Sequence, residues 1–213
     1  MRGAAAMLAV GVLAGVAACG SGSAAVFHPA GSLSSQPVQA APLATSTAQR
    51  LDGFLFPAGV SIDFTSPAPA DPTRRAIVAG YQEYVASMWA GVVSHGRNTA
   101  YAGQATGDAL TFVRREVARY RGAGRTVKGT IQYSGTKVTA VYFGTGASLL
   151  SCVDAAAFHD VNARTGATVG PALPTRPARY LEAVSEGRRS NGTWSVNRLV
   201  VYPASSTQGA MCR

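Results

Sequence analysis

The chain is expected to fold as an α+β domain, a curved antiparallel sheet of four to six strands wrapped on a long N-terminal helix and one or two further helices. Three observations predict it. From Asp71 to Val92 apolar residues recur with a period near 3.6, from Thr126 to Tyr202 the period falls to 2, and Gly122-Ala123-Gly124 marks the change. Helices followed by a run of strands, rather than alternating with them, give a layered α+β arrangement.

The residues before Asp71 divide into three parts. Residues 1–18 read as a leader: Arg2 supplies the cationic start, and Gly3 to Ala18 is a run of 16 uncharged residues around Met7-Leu8-Ala9-Val10-Gly11-Val12-Leu13. A membrane-spanning helix needs about 20 predominantly apolar residues, and Gly20-Ser21-Gly22-Ser23 ends the run too soon. Val16-Ala17-Ala18-Cys19 resembles the lipobox of bacterial lipoproteins, which implies cleavage before Cys19, its acylation, and display on the outer face of the cytoplasmic membrane. Two acyl chains suffice for stable anchoring. A secretory leader cut nearby, with Cys19 removed or left free, is the competing reading.

Residues 19–50 form the expected tether, rich in Gly, Ala, Ser, Pro, Thr and Gln and nearly free of charge. Such a composition buries too little apolar surface to offset its conformational entropy. Residues 51–70 differ. Phe54, Leu55, Phe56 and the alternation Val60, Ile62, Phe64 suggest a strap or short strand lying on the domain, ended by Ser66-Pro67-Ala68-Pro69-Ala70.

The domain proper is assigned to residues 71–213. Asp71-Pro72 is a capping carboxylate followed by proline at the first helical position. Ile77, Val78, Tyr81, Tyr84, Val85, Met88, Trp89 and Val92 then make one broad apolar face, and His95-Gly96 closes the helix. Asn98 to Ala105 suggests a short helical turn. Asp108 is expected to cap a further helix through Leu110, Phe112, Val113, Val117 and Tyr120. In the strand region, Thr126–Tyr133 and Lys137–Phe143 read as a hairpin across Ser134-Gly135. Ala147–Val161 reads as one long strand, and Arg179–Glu186 with Thr193–Tyr202 as a final hairpin across Glu186 to Gly192.

Cysteine use and charge bound the function. With Cys19 acylated, Cys152 and Cys212 remain as an even pair in an oxidising compartment, where a disulfide is expected. The net charge is +9, and 17 of the 19 basic residues are Arg. That balance suits anionic headgroups, acidic polymers or acidic partners; nucleic acid is excluded as a partner for an exported chain without a nucleic-acid motif. Arg114, Arg115, Arg119, Arg121 and Arg125 are read as a solvated helix face. His159 and Asp160 adjoin on a strand and so point to opposite faces, with no third ligand at suitable spacing. No metal and no cofactor are expected.

Asp71-Pro72, Tyr101-Ala102 ahead of Ala105-Thr106-Gly107-Asp108-Ala109-Leu110, Ser151-Cys152-Val153-Asp154, and Asn191-Gly192-Thr193-Trp194-Ser195-Val196 with a late Cys212 resemble actinobacterial lipoproteins of unknown role. Their domains are similar to the nuclear transport factor 2-like superfamily, which also holds ketosteroid-isomerase-like and polyketide-cyclase-like enzymes. The resemblance covers about Val60 to Arg213 and implies a cystatin-like cone. Isomerase-like members set an acidic base deep in the cone opposite hydroxyl donors. Here the strand acids are Asp154, Asp160 and Glu182, and the candidate donors are Tyr81, Tyr84, Tyr133 and Tyr180. Glu182 shares parity with Tyr180 and Val184, which makes it the best internal acid candidate, with pairing to Arg198 as the plainer alternative; if Leu149, Ser151 and Val153 face inward, Cys152 and Asp154 face the other way. Tyr84, Trp89 and Glu182 are where a ligand in the cone would be held, although an aromatic stripe at helical spacing also suits a plain core.

The expected function is that of a non-catalytic, lipid-anchored envelope protein binding a small apolar ligand or an envelope protein. An isomerase-like or cyclase-like enzyme is the alternative from another class, and an assembly module the third, with a homodimer through the sheet face.

Overall fold

The computed structural model describes residues 49–170 and 177–212. The leader, Cys19 and the tether up to residue 48 lie outside the described residues. Among the described residues, no helix is long and apolar enough to cross a membrane. The described residues open on a minimal hairpin, β1 (Arg50–Leu51) against β2 (Phe54–Leu55), followed by β3 (Val60–Phe64). Gln49, assigned to the tether by composition, fastens this strap. Its Oε1 accepts from the Ile62 N–H at 2.9 Å and its Nε2 donates to the Ile62 carbonyl at 3.2 Å.

Helix α1 (Pro72–Val93) starts where the sequence places it, with Asp71 accepting from the Arg74 N–H at 2.7 Å. All eight residues of its expected apolar stripe are buried. So are Gly80, Ala86, Ser87, Ala90 and Gly91, because the sheet covers one side of α1 and the other two helices cover the other. Glycine is needed at position 80: an added Cβ would stand 2.8 Å from Trp194 Cβ, closer than packed carbons approach. Helices α2 (Tyr101–Gln104) and α3 (Gly107–Gly122) follow. The cap of α3 is Thr106 rather than Asp108, which lies inside the first turn. There its charge still favours the positive end of the helix dipole.

Four long strands complete the domain: β4 (Arg125–Tyr142), β5 (Gly146–Asn162), β6 (Arg179–Arg188) and β7 (Trp194–Pro203). With β3 they form a five-stranded sheet in the order β3-β4-β5-β6-β7. Two expectations need correction. The sheet is mixed rather than antiparallel, because β3 pairs parallel with β4 in the register Val60↔Gly129 to Phe64↔Tyr133. Three helices separate these strands, and a crossover of that length returns the chain in the same direction. The hairpin expected at Ser134-Gly135 is instead one continuous strand. Ser134 pairs with Cys152 and Lys137 with Leu150, so Gly135 and Thr136 together oppose Ser151 alone. That two-to-one count, with Gly135 at φ 58°, is a β-bulge. It and two further register shifts in the β4–β5 ladder bend the sheet over α1. The actual reversal comes later, at Phe143-Gly144.

The C-terminus is tied down as expected. A 3₁₀ turn, Gln208–Cys212, lies against β6 and β7, and Cys212 is disulfide-bonded to Cys152 of β5.

Candidate functional site

Strand alternation points Tyr180, Glu182, Val184 and Glu186 of β6 toward the interior face of the sheet, all buried. Glu182 does not pair with Arg198, which is exposed. Its partner comes from the helix: the Tyr81 hydroxyl donates to Glu182 Oε2 at 2.6 Å. Ser151 offsets a little of the rise in the Tyr81 pKa, and its Oγ lies 2.9 Å from Thr136 Oγ1, the residue displaced by the β4 bulge. Polar side chains thus reach from the bulge toward Glu182 through an otherwise apolar interior. Burial first, then the nearby Glu182 charge, push the Tyr81 hydroxyl well above its ordinary pKa.

Tyr84 sits one turn along α1 from Tyr81. Its hydroxyl is buried without a hydrogen-bond partner, and burial followed by the Glu182 charge raises its pKa. Trp89 lies further along, where Nε1 donates to the Tyr133 hydroxyl at 3.2 Å and the indole meets Phe158 edge-to-face at 4.8 Å. Tyr133 in turn packs edge-on to Tyr81, with ring centroids 6.1 Å apart. Tyr84, Trp89 and Glu182 therefore belong to one aromatic cluster between α1 and the sheet, with Tyr84 and Glu182 in electrostatic reach of each other. A carboxyl gripped by a phenol has the donor and acceptor chemistry for proton transfer. Access is a different matter: a water-sized sphere reaches 0% of Tyr81, Tyr84 and Tyr133, 1% of Trp89 and 4% of Glu182.

The other two acids expected on strands, Asp154 and Asp160, are half-buried at the surface. Asp154 faces the outside with Cys152, as alternation requires. It accepts from the Ala156 N–H at 2.9 Å and from Arg179 Nε at 2.8 Å, which hold its pKa below the usual carboxylate value. It lines an open depression of about 320 Å³ beside the disulfide, with Arg179 and Met211. Asp160 accepts from the Tyr120 hydroxyl at 2.7 Å and lies 3.7 Å from Arg125. In the arginine cluster Arg119 pairs with Glu116 at 2.6 Å and Arg115 lies over the Phe112 ring, while Arg114 and Arg121 are exposed.

Sequence reasoning missed Glu186. The hairpin turn was expected to begin there, whereas β6 continues to Arg188 and carries Glu186 inward, 2% exposed. Across the ladder it faces Ala147 and Val196, and neither carboxylate oxygen has a hydrogen-bond partner. Burial raises its pKa from 4.5 to about 9, so the group is protonated at neutral pH. The available signal was parity: Glu186 continues the Tyr180, Glu182, Val184 series by two.

No family model matches the chain, and no curated protein matches it. Solved structures with a similar arrangement include the intermembrane space region of the chloroplast protein ARC6, at 14% identity and a TM-score of 0.42, covering 63% of this chain and 99% of that one. A ketosteroid isomerase-like protein from Erwinia carotovora atroseptica SCRI1043 is similar at 18% identity and a TM-score of 0.38, covering 62% of this chain and 95% of that one. At such scores the likeness carries nothing about activity.

Proposed function

We propose that the chain is a lipid-anchored, extracytoplasmic envelope protein whose domain is non-catalytic and engages a protein partner across its outer surface. The observation that carries this reading is the packed interior. Glu182 is held by Tyr81, and the surrounding tyrosines offer no surface to a water-sized sphere. A general base needs its substrate within hydrogen-bond reach, so chemistry at Glu182 would require α1 and the sheet to part. The outer sheet face offers the more accessible surface. Leu150, Ala183 and Val200 lie side by side across β5, β6 and β7, half-buried, with Lys137 beside them on β4. An apolar row of this kind suits docking, including docking of a second copy.

An isomerase-like reading has one observation in its favour, the 2.6 Å contact between the Tyr81 hydroxyl and Glu182. Native mass spectrometry of the chain recovered from its own envelope separates the readings. The expected spectrum shows the acylated chain with a retained protein partner or a second copy. A retained small apolar molecule would move the reading to ligand carriage or turnover. Palmitate labelling that survives Cys19→Ala would remove the anchor.

A further inference from the structure

The β4–β5 reversal places a bulky aromatic residue at positive φ. Tyr142 accepts from the Thr145 N–H at 3.0 Å, leaving Phe143 and Gly144 as the two central residues, with φ of 49° and 70°. Positive φ at both positions defines a type I′ hairpin turn, for which Asn-Gly is the favoured pair. A bulky residue with positive φ is an outlier and carries backbone strain. Phe143 brings no compensating burial: it is 101% exposed, with Tyr142 at 51% and Val141 at 38%. An aromatic residue that the turn disfavours and the core does not use points to something outside the domain.

The surroundings indicate what that is. Residues 134–153 contain Lys137 and no Asp or Glu, and residues 187–203 contain Arg188, Arg189 and Arg198 and again no acid. Arg188 is exposed; its backbone N–H donates to the Thr145 carbonyl at 2.8 Å, which fixes its backbone beside the tip, while its Nε donates to the Gly192 carbonyl at 3.5 Å. The carboxyl one residue before Gly187, Glu186, is buried. The tip is thus apolar at its apex and cationic at its flank. A protein interface of standard size buries about 800 Å² per partner, whereas aromatic residues bury roughly 150–250 Å² each, so two of them supply too little area for a stable dimer. They suffice for a lipid surface: an aromatic side chain enters the boundary between headgroups and acyl chains while arginine meets phosphate.

We propose that the Val141-Tyr142-Phe143 tip, with Arg188, is a contact site for an anionic lipid surface. The site is independent of Cys19. It would press one end of the sheet onto the bilayer whether or not the chain is acylated.

Tryptophan introduced in the full chain as Phe143→Trp reports on the tip, because Trp89 and Trp194 are buried at 1% and 4% exposure and supply a constant background. Vesicles of phosphatidylglycerol and phosphatidylcholine with brominated acyl chains are expected to quench and blue-shift the added emission. Vesicles of phosphatidylcholine alone are expected to leave it unchanged. Since the signal arises at position 143, attachment of another part of the chain to the vesicle does not produce it. Arg188→Gln is expected to raise the lipid concentration needed for half-maximal quenching about fivefold, the loss of one cation near an anionic surface. Phe143→Asn, which suits the turn better, is expected to raise the unfolding midpoint while abolishing a lipid-induced mobility change at the tip, read from a spin label on Thr145→Cys. Emission from position 143 that ignores both vesicle types overturns the proposal, as does equal quenching without anionic lipid. A Phe143-dependent dimer in lipid-free sedimentation would reassign the tip to a second copy, and loss of stability in Phe143→Asn would assign Phe143 to the fold.

Discussion

Glu186→Gln should make the domain more stable at neutral pH and remove a pH dependence that the wild-type chain carries. In the fold the carboxyl is buried without a partner and its pKa rises from 4.5 to about 9. The unfolded chain loses this proton above pH 4.5 and the folded chain keeps it, so the unfolded state binds fewer protons. Stability therefore falls as pH rises from about 4.5 toward 9. Each unit of pKa difference is worth about 1.4 kcal/mol, so between pH 5 and 8 the loss is about 4 kcal/mol, a large share of the 5–15 kcal/mol typical of a domain. Amide replacement deletes the titration and keeps the shape. Urea unfolding followed by Trp89 and Trp194 fluorescence, at half-unit steps from pH 5 to 8, gives both curves. Their difference isolates Glu186, and the window lies above the range in which Asp154, held low by Ala156 and Arg179, takes up its proton. The difference is expected to grow steadily with pH, reaching about 3 kcal/mol at pH 7. Parallel curves would mean that Glu186 titrates alike in both states, and the inward, partnerless placement of its carboxyl would then be wrong.

Three other perturbations probe the parts around it. Cys212→Ser opens a disulfide spanning 60 residues and should cost about 4 kcal/mol in the chain-entropy treatment, read as a lowered urea midpoint that reductant no longer changes. Gly80→Ala puts a methyl 2.8 Å from Trp194 Cβ and should cost about 1–3 kcal/mol as overpacking, visible in thermal unfolding together with a shift in Trp194 emission. Tyr81→Phe removes the hydroxyl donated to buried Glu182 and should cost about 1–3 kcal/mol; combined with Glu182→Gln in a double-mutant cycle it should be non-additive, since the two groups share one bond.

Periodicity carried most of the fold. The stripe on α1 and the parity of Leu149, Ser151 and Val153 are set by burial on one face, and burial is written into residue type. Direction was less legible. Ser134-Gly135 satisfies a hairpin turn and a bulge equally well in local terms, because both need a left-handed glycine. The outcome depends on whether the flanking segments pair with each other or with β5, a long-range choice that local composition does not contain. The parallel placement of β3 was hidden for the same reason. Caps were legible where side-chain chemistry and backbone agree, as at Asp71, and misread at Asp108, where the residue before an inviting glycine supplied the cap instead.

Glu182 and Glu186 show where reading a site from sequence stops. They share a strand, a face and a residue type, so alternation cannot rank them. What separates them is the element opposite. Tyr81 comes from 101 residues away to meet Glu182, while Glu186 meets Ala147 and Val196 and finds no donor. One carboxyl has a donor inside the packing and the other has none. Identical residues on one face of one strand thus acquire different hydrogen-bonding environments from tertiary contacts alone. A carboxyl that must stay protonated inside the fold should oppose any motion that lets water in at that end of the sheet while it remains neutral, and should favour that motion once it ionises. Hydrogen exchange of the β6 and β7 amides near Glu186 should therefore show protection falling faster with pH in the wild-type chain than in Glu186→Gln, beyond the intrinsic base-catalysed rise common to both. Equal loss of protection in the two proteins would mean that the opening is set by the sheet as a whole and not by the buried acid.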